Sequence, residues 1–202
     1  MRMSKPFEIG GIIAGVVLIA FGIGAIYMGV DGRSTVRDSL RQEQITIGST
    51  DDPVVAQFAS KYADQQVTTG DQARAFAQVI RGHTLKITGG LTYAQMGRFV
   101  SADDPKGMAG TSDEAAALKD EQGSPVPNAA RNTWVTATAL STALNTSYMA
   151  EQTALFGIVV GIALLLSGVG FMVLALGGAL RRREAPEVAS STIKPRPAVT
   201  TG

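Results

Sequence analysis

The apolar residues of this chain gather in two uninterrupted segments, and nearly all of the charged residues lie between or outside them. The first segment covers residues 9–30 and the second covers residues 154–180, and neither contains a charged side chain. A helix rises about 1.5 Å per residue, so each segment is long enough to cross a hydrocarbon core of about 30 Å. The pattern predicts transmembrane helix 1 over residues 9–30 and transmembrane helix 2 over residues 154–180.

Residues 31–153 show helical spacing of apolar positions, broken by glycine and proline, and this predicts a mainly α fold. The first helix either continues outward to about Glu43 or breaks at Asp31-Gly32, which is a turn signal. Five further helices are predicted. One starts at Asp52-Pro53, and a second starts at Thr69 and ends at Thr88-Gly-Gly90. A third covers residues 92–99, a fourth runs from Thr111 to about Glu121, and a fifth covers residues 128–153 as a lead into the second span. On this last segment Trp134, Ala137, Leu140, Leu144 and Tyr148 form the predicted inner face.

Charge predicts the topology of the two spans. The head, residues 1–8, is short and basic, and the tail, residues 181–202, holds five basic residues against two acidic ones. Short basic flanks remain on the cytoplasmic side, so both termini are expected there, with Arg181, Arg182 and Arg183 as the topology signal. The fold class is therefore two transmembrane helices extended into a small extracytoplasmic helical domain, residues 31–153, at the plasma membrane.

The composition of the flanks and of the middle region narrows the classes of partner. Residues 31–153 hold 11 Lys and Arg against 14 Asp and Glu, which makes nucleic acid an unsuitable partner. The chain has no cysteine, so no disulfide stabilises this region. The tail is rich in Pro, Ser and Thr without an apolar period, and its composition predicts disorder.

Small residues recur at heptad spacing in both apolar segments, a pattern that lets membrane helices approach closely. Isolated glycines are common in membrane helices, but two stripes with matching spacing favour helix packing, either between the two spans or against a partner. The predicted packing glycines are Gly11, Gly15, Gly22 and Gly29 in the first segment and Gly157, Gly161, Gly168 and Gly178 in the second.

The chain contains no recognisable catalytic or cofactor motif. Its single histidine, His83, is interpreted as a solvated or capping residue, and the acidic pairs lack the alternating ligand spacing of a calcium loop. Glu151 lies at the edge of a span rather than within it. The prediction is a protein without enzymatic activity, cofactor or metal.

Three phrases of the sequence resemble a group of small two-span membrane proteins of uncharacterised function from actinobacteria and related bacteria. They cover residues 37–45, 83–99 and 130–156. Some proteins of that group carry the label aromatic ring-opening dioxygenase, but a facial non-haem iron site needs two histidines and a carboxylate, and this chain has one histidine. The resemblance implies a two-span layout and no active site.

Two functions follow as expectations. The leading one is a structural or accessory membrane protein that contacts the lipid bilayer, other membrane or envelope proteins, or a second copy of itself. The alternative is an extracytoplasmic sensor or ligand-binding module that signals through the second span, with a pocket near Tyr93, Phe99 and Trp134 as its mark.

Overall fold

The computed structural model describes residues 5–177. The predictions for residues 1–4, for Gly178, for Arg181 to Arg183 and for the rest of the tail lie outside the described residues. Within the described range the chain is mainly helical and forms no β-strand. The helices are α1 (Lys5–Gln42), α2 (Pro53–Phe58), α3 (Gly70–Ile87) and α4 (Ala129–Leu176), with single 3-10 turns at Ser60–Tyr62 and Tyr93–Gln95.

The mainly helical class predicted from the sequence is confirmed, and α1 and α4 contain the two apolar segments. By length and composition, both helices could cross a membrane. The described residues fall into two compact units, one formed by the chain up to Ile19 with the chain from Leu166 onward, the other by Ala20–Leu165. All of the intervening region between the apolar segments belongs to the second unit.

Helix α1 continues without interruption past the first apolar segment and ends at Gln42. The alternative of a break at Asp31-Gly32 is therefore wrong. Gly32 is accommodated as an ordinary helical residue, and a Cβ at that position would lie 3.7 Å from the Cβ of Ala154.

Helices α2 and α3 start where their capping residues predict. The carboxylate of Asp52 accepts the backbone N–H of Val54, and Pro53 occupies the first turn of α2. Thr69 and Gln72 form a reciprocal capping box at the start of α3. Helix α3 ends at Ile87, before two glycines with positive φ, 64° at Gly89 and 85° at Gly90, a conformation that favours glycine.

Helix α4 begins after Asn128, whose side-chain oxygen accepts the backbone N–H of Ala130. The Nδ2 of the same side chain donates to the carbonyl oxygens of Gly97 and Met108, so the cap also fixes the preceding loop. Along α4 several exposed hydroxyls donate to the carbonyl four residues earlier, at Thr133, Thr136, Thr146, Ser147 and Thr153.

The segment between α3 and α4 is the part in which the sequence-based prediction is wrong. The helix predicted over residues 92–99 is reduced to the turn Tyr93–Gln95, and residues 111–121 contain no helix. Isolated antiparallel bridges form instead, among them Phe99 with Thr111 and with Pro127, and Ser101 with Ala117. Backbone pairing decides the outcome, because Leu118 donates to Val100 and accepts from Val126.

Two clusters of buried side chains hold the intervening region together. The larger joins the end of α1 to α2, α3 and Leu144 of α4. The smaller consists of Met96, Ala130 and Trp134. Of the predicted inner face of α4, Trp134, Ala137 and Leu144 are buried, whereas Leu140 is 54% exposed and Tyr148 is half-buried.

Candidate functional site at Glu151

The carboxylate of Glu151 joins three helices. Its Oε1 accepts from Nε of Arg33 at 2.9 Å and from Nε of Arg37 at 2.8 Å, both on α1. Its Oε2 accepts the backbone N–H of Gly70 at 2.5 Å, in the first turn of α3. We call Glu151, Arg33, Arg37 and the Gly70 N–H the Glu151 cluster. It fixes the base of the intervening region to the helical stretches next to the apolar segments.

Burial and hydrogen bonding have opposite effects on the pKa of Glu151, a residue that is only 6% exposed. Burial raises the pKa of the carboxyl, but hydrogen bonds from Arg33, from the Gly70 N–H and from Arg37 lower it by more, so the pKa lies below its ordinary value of 4.5. The positive end of the α3 dipole favours the same ionised form. Glu151 is therefore a carboxylate at neutral pH.

The sequence contains one signal for this cluster beyond the position of Glu151 at the edge of a span. Glu151 is the only charged residue between Arg131 and Arg181. Arg33 and Arg37 lie four residues apart, hence on one face of α1. A lone acidic residue in a long uncharged stretch of helix indicates an ion pair, but its partners lie 118 and 114 positions away and cannot be identified from local pattern.

In the unit that contains Ala20–Leu165, three of the four predicted packing glycines lie where the helices approach closely. A Cβ on Gly22 would lie 2.7 Å from the carbonyl oxygen of Gly161, and a Cβ on Gly29 would lie 2.6 Å from that of Ala154. A Cβ on Gly161 would in turn lie 2.7 Å from the oxygen of Gly22. A Cβ on Gly157 would have more room, because the nearest atom to it would be the carbonyl oxygen of Ala25 at 3.8 Å.

In the other unit, Gly15 and Gly168 face each other. A Cβ on Gly168 would lie 2.7 Å from the carbonyl oxygen of Gly15, and a Cβ on Gly15 would lie 2.7 Å from Cγ of Met172. Gly11 is half-buried. The structure thus brings five of the predicted glycines, Gly15, Gly22, Gly29, Gly161 and Gly168, against a facing helix, and Gly178 lies outside the described residues.

The exposed side of α4 is uncharged over residues 132–153. Every exposed residue there is Thr, Ala, Asn, Gln, Val, Leu or Met. Val135 is 50% exposed, Leu140 54% and Met149 66%. We call these exposed residues the α4 face. Helix α3 in the same unit differs, because its exposed residues include Asp71, Arg74, Arg81 and Lys86.

Several cavities border α4 in this region, and two of them differ clearly in their lining. The first, the polar cleft, has a volume of about 230 Å³ between α3 and α4 and is lined by Gln78, Arg81, Trp134 and Thr138 among others. The guanidinium of Arg81 lies over the ring of Trp134, 5.3 Å from its centre. The second, the apolar groove, has a volume of about 530 Å³ and is lined by side chains that include Phe76, Ile80 and Leu140.

The pocket expected near Tyr93, Phe99 and Trp134 takes a different form. Trp134 borders the polar cleft, but Tyr93 and Phe99 do not. Tyr93 is 44% exposed and lies under the guanidinium of Arg131, 4.1 Å from the ring centre. Trp134 therefore combines two contacts, the smaller buried cluster on one side and the cleft on the other.

The remaining candidate residues form local contacts. Nε2 of His83 lies 2.5 Å from Oδ2 of Asp52, which links α3 to the cap of α2. Asp113 and Asp120 accept backbone N–H groups in turns. Within residues 5–177, no group of three or more His, Asp or Glu side chains is arranged to hold a metal ion.

The geometry defines a mainly helical protein with two long apolar helices and a charged cluster beside them. Comparison with protein-family models, with curated proteins and with solved structures gives no match. The resemblance to two-span bacterial membrane proteins accordingly stays an expectation.

Proposed function

We propose that this chain is a nonenzymatic integral protein of the plasma membrane whose intervening region contacts partner proteins or the cell envelope. Both termini lie in the cytoplasm in this proposal, and residues 31–153 lie outside. The observation that carries it is the α4 face, a long exposed helix surface without charge.

Exposure of the apolar segments supports the membrane anchor. Only 17% of the most apolar stretch of each long helix is buried. Phe21, Phe156 and Leu166 are each more than 60% exposed. The core helix of a water-soluble protein would bury such side chains, whereas lipid tails cover them at no cost.

The α4 face supports contact with a protein partner. Residues 132–153 extend over about 33 Å of helix at 1.5 Å per residue. A helix that faces only water usually places charged residues on its exposed side, as α3 does. Small uncharged side chains permit close helix approach and leave no charge to be desolvated. The Glu151 cluster holds this surface in a fixed position at the base of the region.

Photo-crosslinking in native membranes tests the proposal. A photoreactive residue at Val135 should yield discrete adducts, since that side chain is half exposed on the α4 face. The matched control is the same residue at Lys86, which is exposed on α3. An adduct of twice the 21.0 kDa chain mass would identify self-association, and other masses would identify a different partner.

A charge placed on the face provides the second arm. Ala139→Glu lies one turn from Val135 and should abolish the adducts, because association would bury an unpaired carboxylate. Adducts at Lys86 of equal yield, or no adduct at Val135 in intact membranes, would contradict the proposal.

The polar cleft favours the second candidate, a sensor that binds a small ligand. Its lining combines the Arg81 guanidinium, the Trp134 ring and several hydroxyl and amide side chains of α4. A ligand there would contact α3, whose first turn is bound to Glu151. A ligand in the cleft should quench or shift the fluorescence of Trp134, the single tryptophan. Loss of this fluorescence change in Arg81→Ala would support the sensor function.

A further inference from the structure

Three arginines of α1 line one recess at the end of the first apolar segment. Arg33, Arg37 and Arg41 follow one another at four-residue spacing, so their side chains leave the same side of the helix. The recess has a volume of about 270 Å³. Its remaining lining consists of the Ser34 hydroxyl and the apolar side chains of Val30 and Ile158.

The recess has more positive than negative charge. Arg33 and Arg37 share one carboxylate, that of Glu151. Arg41 pairs with Asp38 at 2.7 Å on the exposed surface of α1. The lining holds three guanidinium groups and no carboxylate, and the two carboxylates that pair with them leave an excess of one positive charge within these ion pairs. Arg33 contacts Glu151 through Nε, so its two Nη groups are not part of that bond.

The apolar part of the recess belongs to both apolar segments. Val30 is the last residue of the first segment and is 55% exposed, and Ile158 lies near the start of the second. In a bilayer, Val30 and Ile158 would lie against the first carbons of the acyl chains, and the arginines that follow Val30 would lie near the depth of the lipid phosphates.

We propose that this recess binds the phosphate of an anionic phospholipid. The guanidinium groups and the Ser34 hydroxyl donate to the phosphate oxygens, and the first part of an acyl chain packs on Val30 and Ile158. A phosphodiester with one negative charge neutralises the excess positive charge, which a zwitterionic lipid does not. The inference rests on the membrane anchor proposed above.

Lipid retention tests the site on the full chain. The protein is placed in nanodiscs of equal parts phosphatidylcholine and phosphatidylglycerol, and the lipids that remain bound on release are counted by native mass spectrometry. Phosphatidylglycerol should be retained in excess. Arg41→Gln should reduce that excess about fivefold, since one arginine near an anionic surface contributes about that factor.

The choice of variants keeps the fold intact. Arg41 is exposed and lies outside the Glu151 cluster, whereas Arg33→Gln or Arg37→Gln would unbalance the buried carboxylate. Ser34→Ala is the second variant and should also lower the excess. Arg98→Gln removes the same charge from the loop, outside the recess, and should retain phosphatidylglycerol like the unaltered chain.

The outcomes separate the lipid site from the anchor. A chain that does not enter nanodiscs overturns the anchor and this site together. Entry without an excess of phosphatidylglycerol, or with the same excess in Arg41→Gln, overturns the lipid site alone. Soluble glycerol phosphate is added in a parallel sample, and complete displacement of the lipid by it would show that the recess binds free phosphate esters and would overturn the lipid assignment.

Discussion

At the scale of single residues, Glu151 is the charged side chain on which the proposed architecture depends most. It is buried, and its two oxygens accept from both arginines and from the start of α3. A buried carboxylate with these partners stabilises the fold only while it is ionised and bonded to all of its donors.

Glu151→Gln should lower the free energy of unfolding by about 2–3 kcal/mol, because the amide replaces an acceptor by a donor and leaves two arginines without a counter-charge. Thermal unfolding in nanodiscs, followed by the fluorescence of the buried Trp134, measures the effect. Glu121→Gln, at an exposed turn, is the control and should unfold with the unaltered chain. Equal midpoints for Glu151→Gln and the control would contradict the importance of the cluster.

The pH dependence of stability follows from the lowered pKa of Glu151. The folded pKa lies below the unfolded one, so the unfolded state binds more protons at acid pH. The contribution of the carboxylate is fully present above the unfolded value near 4.5 and is lost as the pH falls through the folded value. Unfolding midpoints measured from neutral pH down past 4.5 should decline less in Glu151→Gln than in the unaltered chain. Parallel profiles would show that other carboxyls account for the decline.

At the scale of elements, the approach of α1 to α4 near Gly22 leaves no room for a methyl group. Gly22→Ala should destabilise by about 1–3 kcal/mol, since its Cβ would lie 2.7 Å from the carbonyl oxygen of Gly161 and the backbones must move apart. The midpoint of thermal unfolding in nanodiscs checks this.

Gly24→Ala is the matched control for that change, because it lies two residues away with nothing within 4 Å of the added atom. It should leave the midpoint unchanged or raise it slightly. A midpoint for Gly22→Ala that equals the control would mean that the two helices do not pack at this point in the bilayer.

Local signals were sufficient for the helices and insufficient for the loop before α4. Asp52-Pro53 and Thr69 mark the helix starts because capping depends on residues within one turn. The Thr111 segment has the composition of a cap, yet its backbone pairs with residues near 100 and 126, which a pattern read along the chain does not reveal. The Glu151 cluster cannot be identified from local pattern for the same reason, since its partners are distant in sequence.

At the scale of the whole molecule, the charge pattern predicts which side of the membrane each part occupies. A short epitope inserted at Lys106, an exposed loop residue, should be reached by antibody or protease in intact cells, because the proposed topology places the long middle region outside and the short basic flanks inside. The same epitope placed after Gly202 should be reached only after the membrane is opened. If the epitope after Gly202 is accessible in intact cells and the epitope at Lys106 is not, the topology is the reverse of the one proposed.

The side-chain hydroxyls of α4 affect how easily the α4 face exchanges water for a protein or lipid contact. The hydroxyls of four threonines and of Ser147 donate to backbone carbonyls of their own helix. A hydroxyl transferred from water without a partner costs about 1–3 kcal/mol in proteins, and a hydroxyl already bonded within its helix avoids most of that penalty. The outward methyl groups of the threonines then behave as aliphatic surface. A helix of this kind remains wettable while it is free and can exchange water for protein or lipid with little loss of hydrogen bonding.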